Sequence, residues 1–114
     1  MSIRKNGDGK PKIFLDDIRN PPFPDSWTVI RSYEHAVQYV KEHGVPSHIS
    51  FDHDLGDQGT KTGHDFAKWL VEYDMDYDVI PEDFTYAVHS ANPPGANNIR
   101  TLLRNYLEHK YNEL

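Results

Sequence analysis

The chain contains no cysteine. That excludes a disulfide framework, a thiolate zinc site and a cysteine nucleophile. No apolar run approaches the ~18 residues needed to cross a bilayer. The first eleven residues are polar and glycine-containing, with none of the apolar core of a signal peptide or anchor, so the expected location is the cytoplasm. Basic residues are scarce: 12 Lys and Arg stand against 18 Asp and Glu, a net charge of −6. This argues against a protein that coats duplex DNA, which normally shows a basic face. It leaves room for a nucleotide-sized phosphate ligand held with a metal. What the chain does have is 114 residues with plentiful aromatics, enough for one domain with a real core.

Residues 1–11 read as a flexible lead and 12–114 as the domain. Asn6-Gly7-Asp8-Gly9 hints at a calcium loop, but nothing downstream completes one. Lys12 to Leu15 reads as a strand running into Asp16-Asp17. Ile18 to Ser26 holds prolines 21, 22 and 24, which cannot sustain a helix interior. Trp27 to Arg31 alternates as a second strand. Ser32 is an N-cap for a helix from Tyr33 to His43, ended by Gly44. His48 to Asp52 is short, β-branched and aromatic, a buried strand that breaks into Asp52-His53-Asp54. Thr62 and Asp65 form a capping box for a helix burying Phe66, Trp69, Leu70 and Tyr73. Asp74 to Asp83 reads as an acidic, solvated linker; it lacks the glycine and closing glutamate of an EF-hand. Phe84 to Val88 is a fourth strand, running into His89-Ser90. Ala96 to Tyr111 is a last helix, with Ile99, Leu102, Leu103, Tyr106 and Leu107 inward.

Strands alternating with helices imply parallel pairing and right-handed crossovers. In such sheets ligand sites form outside the carboxyl ends of the strands. Three of those ends carry reactive groups: Asp16-Asp17, Asp52-His53-Asp54 and His89-Ser90. An Asp or Asn after one strand serves a turn or a cap equally well; three such ends together point to a site. Converging aspartates repel by about 4 kcal/mol per pair at ~4 Å and an effective dielectric near 20. A divalent cation on Asp16, Asp17, Asp52 and Asp54, a raised carboxyl pKa, or Arg19 would offset that. Oxygen ligands call for magnesium or manganese. Adding imidazole from His53 or His89 moves the preference toward manganese, iron or zinc, and magnesium or manganese is expected ahead of zinc. Arg19, Ser90 and Asn92 are the candidate phosphate binders. Asp52, His53 and His89 are the candidate catalytic groups, since histidine alone titrates near neutrality unaided. The histidines at 35, 43, 48, 64 and 109 read as surface or core filling.

These residues resemble a receiver domain of two-component signalling. Asp16-Asp17 match its paired acidic residues, Asp52 its phospho-accepting aspartate, Ser90-Ala91 its hydroxyl-Ala pair, and Gly63 the glycine before its next helix. The first crossover is too short and proline-rich for a receiver helix, and the fifth strand with its lysine is expected to be missing. The chain is more similar to the cyclic-phosphate-processing receiver-like domains. Their three marks stand here as Leu15-Asp16-Asp17-Ile18-Arg19, Phe51-Asp52-His53-Asp54-Leu55 and His89-Ser90-Ala91-Asn92-Pro93-Pro94-Gly95. The resemblance spans about residues 12 to 108. It implies an α/β, flavodoxin-like open parallel sheet, truncated to four strands and three main helices, with helices on both faces. It implies action on a cyclic phosphate, either the 2′,3′-cyclic end of an RNA or a cyclic nucleotide. The residues then fit a metal-dependent phosphoesterase. The alternative is a non-catalytic module, either a phosphoacceptor at Asp52 or a nucleotide sensor.

Overall fold

The computed structural model of the protein describes residues 11–56 and 60–112. The lead over 1–10, with its Asn6-to-Gly9 motif, and residues 57–59 of the polar loop lie outside the described residues. Four strands, β1 (Lys12–Leu15), β2 (Thr28–Ile30), β3 (His48–Phe51) and β4 (Thr85–Val88), form one sheet in the order β2-β1-β3-β4. Every pair is parallel. Three helices follow β2, β3 and β4 in turn: α1 (Tyr33–His43), α2 (Gly63–Tyr77) and α3 (Pro93–Asn112). This is the receiver-like, flavodoxin-like architecture that the motifs imply.

The local signals act as their chemistry requires. The Ser32 hydroxyl accepts from the His35 amide at the start of α1. Gly44 ends that helix at φ +86°, a conformation that glycine adopts without a Cβ penalty. Thr62 and Asp65 bond each other's backbone amides at the start of α2. Two boundaries differ from expectation. Helix α3 begins at Pro93, because proline at a first helical turn forfeits no intrahelical bond. The segment expected as an acidic linker is helical to Tyr77, and Asp74 is 3% exposed. Its carboxylate accepts from the Val79 and Ile80 amides (2.7 Å each), the Tyr106 hydroxyl (2.5 Å) and Lys110 Nζ (2.8 Å). Composition alone marks an aspartate as solvated; here α3 supplies partners 32 and 36 residues away.

The layering also differs from the expectation of helices on both faces. Ile13, Leu15, Ile30, Ile49 and Phe51 share a single core with residues of α1, α2 and α3. The reason is topological. From β2 to β3 and from β3 to β4 the chain steps the same way across the sheet, so right-handed crossovers put both helices on one face. Helix α3 packs beside α2 on that face. From β1 to β2 the chain steps the other way, so that connection belongs to the opposite face. The prolines at 21, 22 and 24 reduce it to a 3₁₀ turn, Pro24–Ser26. Among the described residues, the second face therefore carries no helix. Its cover is Trp27, edge-on to Phe14 at 5.6 Å between ring centroids.

Candidate functional site

Strand alternation builds the site. Side chains one residue apart point to opposite faces. Leu15 and Phe51 enter the helix-covered core, so the next residues, Asp16 and Asp52, turn to the open face, as does His89 after Val88. The ladder continues through them: the amides of Asp16, Asp52 and His89 donate to the carbonyls of Ile30, Leu15 and Phe51 at 3.0, 2.9 and 2.9 Å. Three side chains from distant parts of the sequence are thus aligned by sheet register at its carboxyl end.

Asp16 is fully buried and is the hub. Its Oδ1 accepts from the amides of Ile18 (3.0 Å) and Arg19 (2.8 Å). Its Oδ2 accepts from Arg19 Nε (2.8 Å) and meets His89 Nε2 at 3.0 Å. Burial by itself would raise the pKa of this carboxyl; the amide bonds, His89 and the Arg19 charge outweigh it and hold the group below its ordinary 3.8. An ionised Asp16 requires a proton on His89 Nε2. In the neutral ring Nδ1 then accepts from the Ser50 hydroxyl, 2.7 Å away. The His89 ring also lies flat on Phe14, 4.2 Å between centroids with 7° between planes. Both nitrogens and one face of the ring are accordingly fixed by the protein.

Asp52 is in the opposite electrostatic situation. It is 5% exposed. Burial and the negative charge of Asp16 raise its pKa, against the opposing pull of Arg19, His89 and the His53 amide. The nearest cationic contact is Arg19 Nη2 at 3.4 Å, from a side chain that is 47% exposed. Arg19 therefore bridges the two carboxylates from the solvent side, and a cavity of about 290 Å³ opens beside it, lined by Asp17, Ile18, Arg19, Asp52, Asp54, Gly56 and Ala91.

The remaining sequence candidates divide between the crevice and its supports. Asp17 and Asp54 line the cavity without joining the buried group. The Ser90 hydroxyl accepts from the Asn92 amide at 3.0 Å, and the Asn92 carboxamide accepts from the Gly95 amide at 3.0 Å, capping α3. Both side chains shape the turn that carries His89. His53 is one residue out of phase with Asp52 and faces the helices. Its Nδ1 lies 2.8 Å from Asp54 Oδ1, and a Cβ on Gly95 would come within 2.5 Å of its ring. Three contributors were not singled out in the sequence. Ser50 and Phe14 lie two residues before Asp52 and Asp16, so the alternation that aims the aspartates aims them too. Arg31 follows β2 and stitches the site loop, donating to the carbonyls of Asp16 (3.1 Å) and Arg19 (2.6 Å) and to Asn20 Oδ1 (2.7 Å).

Donor atoms of Asp16, Asp52 and His89 lie within 4.8 Å of one another. Two carboxylates and an imidazole suit a divalent cation that takes both oxygen and nitrogen. The under-neutralised Asp52 is the feature that fits such an ion. His89 can join it by giving up one of the bonds it now makes, to Asp16 through Nε2 or to Ser50 through Nδ1.

Residues 11–105 match the family described as the cyclic-phosphate processing receiver domain. No curated protein matches the chain. Among solved structures, the chain is similar to one whose title describes a fusion carrying residues 181–211 of the trimeric coiled coil of yeast Spc42. The identity is 17%, over 99% of this chain and 86% of that one, with a TM-score of 0.52. At that identity the likeness speaks for the fold alone.

Proposed function

The chain belongs to the cyclic-phosphate processing receiver domain family, and on that premise we propose that its crevice binds a cyclic phosphodiester and hydrolyses it with the aid of a divalent cation. The observation that carries this reading is the burial of Asp52 beside the buried Asp16, with only a half-exposed guanidinium between them. Two buried carboxylates this close destabilise the fold, and such arrangements concentrate at sites where charge is used. Arg19 has the geometry to hold a phosphoryl oxygen at the cavity, and the residues beside it leave room for the ester. Asp16, Asp52 and His89 would hold the cation, with Asp17 and Asp54 at the rim; magnesium or manganese is the expected ion. It would polarise the phosphoryl group and lower the pKa of a bound water.

In hydrolysis the water oxygen bonds to phosphorus and one ring P–O bond breaks, leaving a phosphomonoester and a free hydroxyl. A carboxylate oxygen of Asp52 not engaged by the cation would take the water proton. That proton would pass on from Asp52 to the leaving oxygen, while His89 stays a ligand of the cation. Proton transfer of this kind contributes about 10²–10⁴-fold.

The test is thermal unfolding with magnesium, manganese, calcium and zinc, on the natural chain and on Asp52→Asn, followed by assay of 2′,3′-cyclic nucleotides with the stabilising ion. A cation at a hundred times its dissociation constant adds about 2.7 kcal/mol of stability. The reading expects such a shift for the natural chain alone, and a loss of hydrolysis of about 100-fold or more in His89→Ala. Unchanged hydrolysis in both variants would overturn it. A phosphodonor-dependent mass gain abolished in Asp52→Asn, without hydrolysis, would assign Asp52 as a phosphoacceptor instead.

A further inference from the structure

Strand β4 is the last strand on its side of the sheet, and its outer edge is bare among the described residues. The amides of Thr85 and His89 donate inward, to the carbonyls of Ser47 and Phe51 at 2.9 Å each. Along a parallel strand the backbone groups of successive residues point to alternate sides, so those of Tyr86 and Val88 point outward, a template for another strand. On that side the Val88 carbonyl meets Arg100 Nη2 at 3.3 Å. A cavity of about 300 Å³ flanks the edge, lined by Tyr86, Ala87, Val88, Arg100 and Arg104.

The two arginines are the second observation. They stand one helical turn apart on α3, where like charges repel. Among the described residues Arg100 reaches Asn97 Oδ1 and the Val88 carbonyl. Arg104 makes no hydrogen bond or ion pair among the described residues. Both are exposed. Among the described residues, two guanidiniums thus stand without a carboxylate beside the open edge of β4, in a chain with six more acidic than basic residues.

We propose that the β4 edge accepts an extended acidic segment of another protein as a fifth strand. Its main chain would pair with Tyr86 and Val88, and carboxylates at alternate positions would meet Arg100 and Arg104. The spacings agree: four helical residues advance about 6.0 Å and two strand residues about 6.6 Å. A second copy of this chain is disfavoured, because pairing edge to edge would bring four guanidiniums together. An RNA backbone would satisfy the arginines but cannot form the strand ladder on Tyr86 and Val88. The proposal is independent of the phosphate crevice, which lies at the carboxyl end of the sheet rather than along its edge.

The test titrates the full, ¹⁵N-labelled chain with a short end-blocked peptide that alternates valine or threonine with glutamate, and in parallel with oligouridylate. The expected result is saturable binding of the peptide, with slowed hydrogen exchange at the Tyr86 and Val88 amides. Binding should weaken by about tenfold or more in Arg100→Glu/Arg104→Glu, and that variant should instead take the matching lysine peptide. Both side chains are exposed, so the unfolding curve should be unchanged; each single variant provides a graded check. No protection of the two amides at ~1 mM peptide would overturn the proposal. So would tighter binding of oligouridylate through the same arginines without that protection, or protection that depends only on protein concentration and so reports self-association.

Discussion

Asp52 shows how one residue sets function against stability. Its pKa is raised in the folded protein by burial and by Asp16. Below pH 3.8 the group is protonated in both states and costs nothing. As pH rises through 3.8 to the raised folded value, the unfolded chain ionises first and stability falls; above that value the penalty is constant. Asp52→Asn should therefore raise the midpoint of thermal unfolding at pH 7 in the absence of added metal, while abolishing any cation-dependent shift. A lower midpoint would mean that the Arg19 contact outweighs the burial. Asp16 has the opposite sign: its folded pKa is depressed, so its contribution is present above 3.8 and lost as pH falls through the folded value. The glycines beside the site are equally specific. A Cβ on Gly63 would stand 1.7 Å from the Asp52 carbonyl oxygen, a backbone atom that cannot swing aside. Gly63→Ala should cost roughly 3 kcal/mol in urea unfolding. Gly95→Ala would press on the His53 ring, a side chain that can turn, and should cost about 1 kcal/mol.

Helices α2 and α3 are joined by a polar fastening rather than by apolar packing alone. Asp74 satisfies four donors, and Lys110 also reaches Asp78 at 2.9 Å. Burial and the Asp74 bond push the Tyr106 hydroxyl up to about 12. The Asp74 carboxyl is held below 3.8: burial opposes this, but Lys110, Tyr106 and the Ile80 amide prevail. Removing one partner of a buried pair strands the other, at about 3–5 kcal/mol. Asp74→Ala should lose about that much in urea unfolding. In the natural chain this stabilisation is present above pH 3.8 and disappears as pH falls through the depressed folded value, so the variant should show a flatter decline on acidification. An unchanged acid limb would place the pH dependence elsewhere, with Asp16 the first candidate.

For the molecule as a whole, the one-sided layering divides labour. The helix-covered face carries the core, and the opposite face carries Phe14, Ser50, Asp16, Asp52 and His89 in continuous register. Native-state hydrogen exchange should follow this plan: slowest at the amides of β1 and β3, central in the sheet, and fast at Tyr86 and Val88 on the open edge. Protection of those two amides in the isolated chain would mean that something already covers the edge. The absence of any helix long and apolar enough to cross a membrane among the described residues agrees with the polar character of the whole sequence.

Much of this was legible in residue order. Periodicity and caps set where α1 starts and stops, Thr62 and Asp65 start α2, and the three strand ends marked where charge would gather. Strand period and crossover logic fixed the parallel sheet. The sequence could not reveal which of two adjacent residues at a strand end faces the crevice; register decided that Asp52 turns in and His53 turns toward the helices. Nor could it separate a solvated aspartate from a buried one: Asp74 lies inside because α3 brings Tyr106 and Lys110 across to it, and such pairing has no local signature. The bare second face was implicit in the prolines after Arg19, but only the assembled sheet, with its one reversed step from β1 to β2, turned that short connection into an open surface.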